Sequence, residues 1–116
     1  MVKRRPVVVI SPRLKRRNGL VTVVPLSTTK PSPMMDYHYE LALDNPMPHP
    51  FDSEVMWVKA DMLATVGFQR LDLFREGRGA DGKRKYLTLK IDAAQLRCVY
   101  ESVLHGIGLP RLTDHL

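Results

Sequence analysis

The sequence predicts an α+β fold that is mostly β, a small barrel or curled sheet of antiparallel strands with a C-terminal helix. Short β-branched runs are separated by turn residues, and nine prolines and seven glycines in 116 residues favour strands and turns over a helix bundle. The helical spacing of apolar residues comes late in the chain, so the strands precede the helix. At this length a single domain over residues 1–116 is expected.

The first strands are marked by β-branched residues and by alternation. Val7 to Ser11 is continuously apolar, which is typical of a strand buried on both faces. Leu20 to Leu26 is predicted to return antiparallel after the Asn18-Gly19 turn. Apolar residues alternate from Tyr37 to Leu43, which predicts a half-buried strand, and Val55 to Ala60 predicts another.

The rest of the chain predicts short elements before the helix. Leu63 to Leu73 is expected to contain a short strand or a helical turn. Residues 74–85 are expected to form a flexible hairpin tip, followed by a final strand near Tyr86 to Leu89.

A C-terminal helix is predicted over residues 92–105. Asp92 is expected to cap it, and Gly106 is expected to end it. Its apolar residues recur at the spacing i, i+3, i+4, i+7, i+8, so one face is expected to pack on the sheet. They are Leu96, Val99, Tyr100, Val103 and Leu104.

The charge is concentrated at the N-terminal end of the chain. The net charge is +6, but the first thirty residues alone carry +8 with no acidic residue, and the other 86 residues sum to −2. A cationic end on a near-neutral body favours a polyanionic partner, either nucleic acid or an acidic protein segment. The alternative is a solvated basic loop.

Composition argues against several classes of protein. No apolar run approaches the roughly 18 residues of a membrane helix, and the basic N-terminus lacks the apolar region of a signal peptide. Cys98 is the single cysteine, which fits a reducing compartment, so a cytoplasmic protein with no membrane partner is expected. The four histidines show no metal-ligand spacing, and no Gly-rich phosphate loop is present. No metal and no cofactor are therefore expected.

Polar chemistry stands at the ends of the first two predicted strands. Arg5 opens the first, and Ser27 and Thr28 follow the second. If the two strands pair, a guanidinium and a hydroxyl can meet at one phosphate. Ser27 could equally be an ordinary turn-forming hydroxyl.

Three segments resemble the signatures of the MazF/PemK family, in particular its PemK-like branch. They are Arg5 to Ser11, Val24 to Thr28 and Val58 to Asp61, in the expected order within residues 3–66. The family comprises toxins of bacterial type II toxin–antitoxin systems. The resemblance implies an SH3-like barrel of the CcdB/MazF type, a homodimer, and a metal-independent endoribonuclease that cleaves single-stranded RNA. It also implies a small acidic antitoxin as partner and operator DNA as a ligand of the toxin–antitoxin complex.

The resemblance also implies roles for individual residues. The family's catalytic arginine corresponds to Arg5, its catalytic threonine corresponds to Ser27, and the basic and acidic residues of its third signature fall on Lys59 and Asp61. The other expected RNA-binding or supporting residues are Arg4, Arg13, Arg16, Arg17 and Thr28.

Two departures from the family pattern bear on activity. Family members normally carry a strand and a loop ahead of the arginine, whereas Met1 lies four residues before Arg5. The resemblance therefore implies that the usual first strand is missing, which would expose a sheet edge and cost stability and activity. Ser27 keeps the hydroxyl of the usual threonine but lacks the methyl group that stiffens the rotamer. The competing hypothesis is a non-catalytic SH3-like module that binds nucleic acid or protein.

Two side chains have a structural and a functional interpretation. Trp57 is expected in the core, with a base-stacking platform as the alternative. His38 lies between Tyr37 and Tyr39 and could contact a base or act as an acid, but a histidine on a strand face is more often structural.

Overall fold

The computed structural model describes residues 5–11, 19–44, 47–71 and 90–116, and the backbone of 74–78 and 84–87. In this described part of the chain the strands precede the helix: β1 (Val7–Val9), β2 (Leu20–Ser27), β3 (His38–Ala42), β4 (Val55–Lys59), β5 (Ala64–Gly67), β6 (Phe74–Arg78), β7 (Arg84–Leu87) and α1 (Ala93–Gly106). Short 3₁₀ turns lie at Ala60–Met62, Phe68–Arg70 and Pro110–His115. This order confirms the predicted α+β, mostly β class.

Strand β2 is the centre of a five-stranded antiparallel sheet. One edge of β2 pairs with β1, and the other pairs first with β5 and then with β4, which in turn pairs with β3. Strands β6 and β7 form a separate two-stranded sheet. Within the described residues the strands form an open sheet and do not close the predicted barrel.

Pro25 is tolerated in the central strand because of where the pairing changes. The Leu26 amide donates to Pro6 on the β1 side, so an amide at position 25 would face the opposite edge. On that edge of β2 the partner changes from β4 to β5, and the turn Ala60–Met62 lies between these two strands. Proline therefore removes no ladder hydrogen bond to a paired strand.

The core lies between one face of the sheet and α1. This inner face contributes Val8, Val24, Leu26, Leu41, Met56 and Val58, which pack with Val99 and Val103 of the helix. Val21 and Val23, on the other face of β2, are buried as well but stand outside this cluster. Because residues alternate along a strand, the side chains between the core residues point to the opposite, outer face.

The structure corrects the prediction for the first strand. Strand β1 covers Val7–Val9 and not Val7 to Ser11, and it is buried on one face instead of two. Val8 is buried, whereas Val9 is 49% exposed. A β-branched run alone does not distinguish these cases, since burial depends on what packs on each face.

Other strands differ from the prediction mainly at their ends. Strand β2 continues to Ser27, β3 is confined to His38–Ala42, and β4 stops at Lys59. The Leu63 to Leu73 segment contains both expected alternatives, β5 and the turn Phe68–Arg70.

The hairpin formed by β6 and β7 has different bounds from those predicted. Its last strand is β7, two residues earlier than expected, and its pairing with β6 is irregular between Arg75 and Arg78. The tip at 79–83, on which the flexible-tip prediction depends, lies outside the described residues.

The helix begins as predicted but ends later. The Asp92 carboxylate accepts from the Gln95 amide at 2.7 Å, and the Gln95 side chain reaches back to the Asp92 amide, which completes a capping box. Gly106 is the last helical residue, not the stop. The reversal comes at Gly108, whose φ of +81° is the left-handed conformation that glycine adopts readily.

Gly106 has a packing role instead. A Cβ there would lie 3.1 Å from the carbonyl carbon and oxygen of Ala60 and from the amide nitrogen of Asp61. Glycine therefore lets the end of α1 approach the turn Ala60–Met62. In the part of the chain that the structure describes, no helix is long and apolar enough to cross a membrane.

Candidate functional site

The strand register aligns polar residues on the outer face of the sheet. Ser27 of β2 pairs with Trp57 of β4, which pairs with Glu40 of β3. Val7 pairs with Pro25, and the Leu26 amide donates to the Pro6 carbonyl at 3.0 Å. Extending this register by one residue places Arg5 opposite Ser27. Directly opposite residues share a face, with Cβ atoms roughly 4.5–5.5 Å apart in regular pairing.

The two predicted catalytic residues lie at the same end of the sheet, Arg5 two residues before β1 and Ser27 at the end of β2. Arg5 is exposed, whereas the residue after it, Pro6, is buried and anchors the start of β1. Ser27 is half-buried at the last position of β2. A guanidinium held at an exposed strand end can present its planar set of donors to a phosphate.

The Ser27 hydroxyl has a structural task as well. Its Oγ accepts a hydrogen bond from the Thr29 amide at 3.1 Å, which forms a serine turn at the end of β2. This hydrogen bond supports the interpretation of Ser27 as a turn-forming residue. A hydroxyl that accepts with a lone pair still carries its own proton, so Ser27 can also donate to a ligand oxygen.

The third segment forms a pocket next to this strand end. Lys59 ends β4 and Asp61 follows in the 3₁₀ turn, with the buried Ala60 between them. The two charged side chains line an open pocket of about 450 Å³, together with Pro31 and Pro33 of the loop after β2. Lys59 pairs with His38 of β3, so both lie on the outer face.

His38 links that pocket to the loop. Its Nδ1 accepts from the Met35 amide at 3.1 Å, so the neutral ring carries its proton on Nε2. Nε2 lies 4.0 Å from Asp61 Oδ1, and the His38 side chain is only 10% exposed. The structural interpretation of His38 is supported, because its Nδ1 accepts from the Met35 amide and so holds the end of the loop before β3.

A second histidine holds the same loop from the helix side. His105 Nδ1 lies 3.2 Å from Asp36 Oδ2, within ion-pair distance although the alignment is not that of a hydrogen bond. The two histidines therefore both contact the C-terminal end of the loop between β2 and β3, at Met35 and Asp36.

Trp57 corrects a prediction. It is half-buried and lies between Met56 and Val58, which are both fully buried on the inner face. Trp57 therefore points to the outer face and stands outside the core cluster. The Lys30 ammonium lies 5.6 Å from the centroid of its ring, a cation–π distance.

Several predicted residues do not join this site in the described structure. Thr28 is exposed beside Ser27. The other arginines expected to bind RNA lie outside the described residues. They are Arg4, Arg13, Arg16 and Arg17. Among the residues that the structure does describe, no group of three or more His, Cys, Asp or Glu side chains could hold a metal ion.

Sequence reasoning missed the His38–Asp61 and Lys30–Trp57 contacts. Both join residues far apart in sequence, and the pairing of β2, β3 and β4 brings them together. The available signal was the alternation in β4. Once Met56 and Val58 are known to point to the inner face, Trp57 must point to the outer face.

Comparison with protein-family models identifies the family of this chain. A family model described as "PemK-like, MazF-like toxin of type II toxin-antitoxin system" matches residues 1–85 of the 116. This range includes β1 to β5 and therefore every residue of the site described above except the helix contact of His105. Searches of curated proteins and of solved structures gave no significant match.

Proposed function

The chain belongs to the PemK-like, MazF-like family of toxins of type II toxin–antitoxin systems, and we propose that it acts there as a metal-independent endoribonuclease on single-stranded RNA. The observation that supports this proposal is the contact of Pro6 with Leu26, because continuing that register by one residue sets Arg5 opposite Ser27 at an exposed end of the sheet. Lys59 on the same face adds a second cation.

The chemistry follows from what these groups can do. In metal-free cleavage the ribose 2′-OH attacks the adjacent phosphorus, so negative charge grows on the phosphoryl oxygens. Arg5 stabilises that charge through a planar set of donors that remains protonated. The Ser27 hydroxyl donates to the same group. A guanidinium holds its proton too tightly to serve as a general base, so we assign Arg5 to charge stabilisation and not to proton removal.

The pocket provides the surroundings of the reacting phosphate. We assign Lys59 to contact with a neighbouring phosphate, since it lines the pocket together with Asp61 and His38. This role agrees with the place of Lys59 in the family's third signature.

The partners form part of the proposal. Membership of a toxin–antitoxin family implies an antitoxin, and the cationic first thirty residues favour an acidic antitoxin segment that folds as it binds. We further propose a homodimer in the cytoplasm, and operator DNA as a ligand of the toxin–antitoxin complex.

The test is incubation of the purified protein with single-stranded RNA in EDTA. We expect cleavage to persist in the chelator and to fall about 10²-fold or more in Arg5→Ala, the size typical of removing one transition-state donor. Arg111→Ala removes an exposed arginine from the C-terminal 3₁₀ turn and serves as the matched control, with unchanged cleavage.

Two results would overturn the assignment. Loss of cleavage in EDTA would contradict metal independence, and normal cleavage by Arg5→Ala would contradict the site. RNA binding without any cleavage, by a folded wild-type protein, would favour the non-catalytic binding module.

A further inference from the structure

We propose that Trp57 is a stacking platform for one nucleobase of the bound RNA, and that Lys30 covers the ring until the base displaces it. The inference rests on the proposed function, which supplies RNA as the ligand. It goes beyond that function because it assigns base contact to a residue outside the family signatures as they fall on this chain.

The position of Trp57 is the first observation. It pairs directly with Ser27, and Ser27 lies opposite Arg5 in the extended register. The indole is thus one strand from the proposed hydroxyl donor and two strands from the guanidinium, about 10 Å at ordinary strand spacing. A nucleotide whose phosphate lies between Arg5 and Ser27 can extend its base over Trp57.

The surroundings of the ring are the second observation. Trp57 stands outside the core cluster, and the group above it is the ammonium of an exposed lysine, 5.6 Å from the ring centroid. An ammonium on a flexible stem can leave the ring and pair with a phosphate. Stacking on an aromatic side chain is the usual way in which single-stranded bases are held.

Charge favours RNA over an apolar occupant. Along the line Arg5, Ser27, Trp57 and Glu40, the charges run from Arg5, just before β1, to Glu40 on β3, with Lys30 above the ring between them. This order places phosphate on the arginine side and leaves the carboxylate to accept from the N–H groups of a base. A purely apolar partner segment would leave all three charges without a complementary group.

The single tryptophan of the chain makes the test direct. The probe is a random-sequence RNA oligonucleotide that is 2′-O-methylated throughout, so that it cannot be cleaved. We expect it to quench the fluorescence of the wild-type protein on saturation. An abasic oligomer of equal length and charge should bind through its phosphates without that quenching.

Variants separate stacking from phosphate contact. We expect Trp57→Leu to weaken binding of the oligonucleotide by about 5- to 150-fold, the range found when one stacked aromatic is removed. Trp57→Tyr should restore most of the affinity, and Lys30→Ala should keep the quenching. Phe68→Leu removes an aromatic side chain that is 59% exposed after β5 and should leave binding unchanged.

The result that overturns the proposal is equal quenching by the abasic oligomer, or unchanged binding by a folded Trp57→Leu. Fluorescence that instead changes with protein concentration alone would assign the ring to contact between two copies of the chain. The two proposals fail separately. RNA that stacks on Trp57 but is not cut contradicts the endoribonuclease, whereas Trp57→Leu that binds and cuts normally contradicts only the stacking site.

Discussion

The two faces of the main sheet use the same strands for different purposes. On the inner face Leu26, Leu41 and Val58 are at most 6% exposed and pack against α1. On the outer face their immediate neighbours, Ser27, Glu40 and Lys59, are half-buried or exposed and polar. Each strand therefore contributes to stability at one residue and to the proposed site at the next.

The use of both faces explains how a chain of this length can form a core and a functional site with the same strands. A short chain buries a limited core, so it has few residues to spare for chemistry. Alternation along a strand solves this, because a side chain that packs fixes the position of the neighbour that points the other way. Substitutions of Leu26, Leu41 and Val58 should therefore change stability, and those of their outer-face neighbours Ser27 and Lys59 should change activity.

The largest expected effect comes from Leu41→Ala compared with Glu40→Ala. Leu41 is fully buried, so its truncation should lower the free energy of unfolding by about 2–5 kcal/mol. Glu40 is exposed on the next position, and its truncation should change that free energy by no more than about 0.5 kcal/mol. Urea denaturation of both variants measures this. Equal costs would contradict the division between the faces.

The second effect is on activity and concerns Ser27. Ser27→Ala removes the hydroxyl that donates to the phosphate, and cleavage should fall by roughly 10- to 100-fold, as expected for a hydrogen bond to a charged group. Ser27→Thr keeps the hydroxyl and should cleave at a rate close to that of the wild type. Rates on single-stranded RNA, measured beside thermal unfolding, separate the two roles of Ser27. If Ser27→Ala lost stability but not rate, the serine turn would be its whole function.

The third prediction concerns Gly106, where the end of α1 approaches the turn Ala60–Met62. A Cβ at Gly106 would stand 3.1 Å from the backbone of Ala60 and Asp61, which cannot rotate away. Overpacking costs about 1–3 kcal/mol, and alanine gains about 0.5–1 kcal/mol over glycine in a helix. Gly106→Ala should therefore lower the free energy of unfolding by about 1 kcal/mol. At the exposed Ala94 alanine is expected to be more stable than glycine, as is usual in a helix, so Ala94→Gly should also destabilise. Thermal melts of both variants test whether the preference for glycine is specific to position 106.

The fold was predictable from the sequence where one signal dominated. The spacing of apolar residues and the cap at Asp92 predicted where α1 begins, and alternation predicted β3. The end of α1 was predicted one residue too early, because Gly106 is helical and its close approach to Ala60 cannot be read from the sequence. Burial of β1 on one face was missed for the same reason, since Val9 looks like Val8 in sequence.

The candidate site was predictable only in its members and not in its geometry. Arg5, Ser27, Lys59 and Asp61 came from resemblance to the family signatures. Their arrangement depends on the register of β1, β2 and β4, and a shift of one residue would have placed Ser27 on the inner face. Trp57 was misassigned because a large aromatic residue between two apolar ones looks like core until the direction of the strand is known.

The smallest effect is a pH dependence that should arise on the inner face. Burial, followed by a hydrogen bond with the Cys98 thiol, raises the pKa of Tyr39 above its usual value of about 10. The neutral phenol is thus favoured by folding, and its contribution to stability is complete below pH 10 and is lost as pH rises through the folded pKa. Unfolding of the wild type should become easier from about pH 10 upward, and Tyr39→Phe should show a shallower decline. Denaturant midpoints between pH 8 and 11 measure both slopes, and equal slopes would exclude Tyr39 as the source.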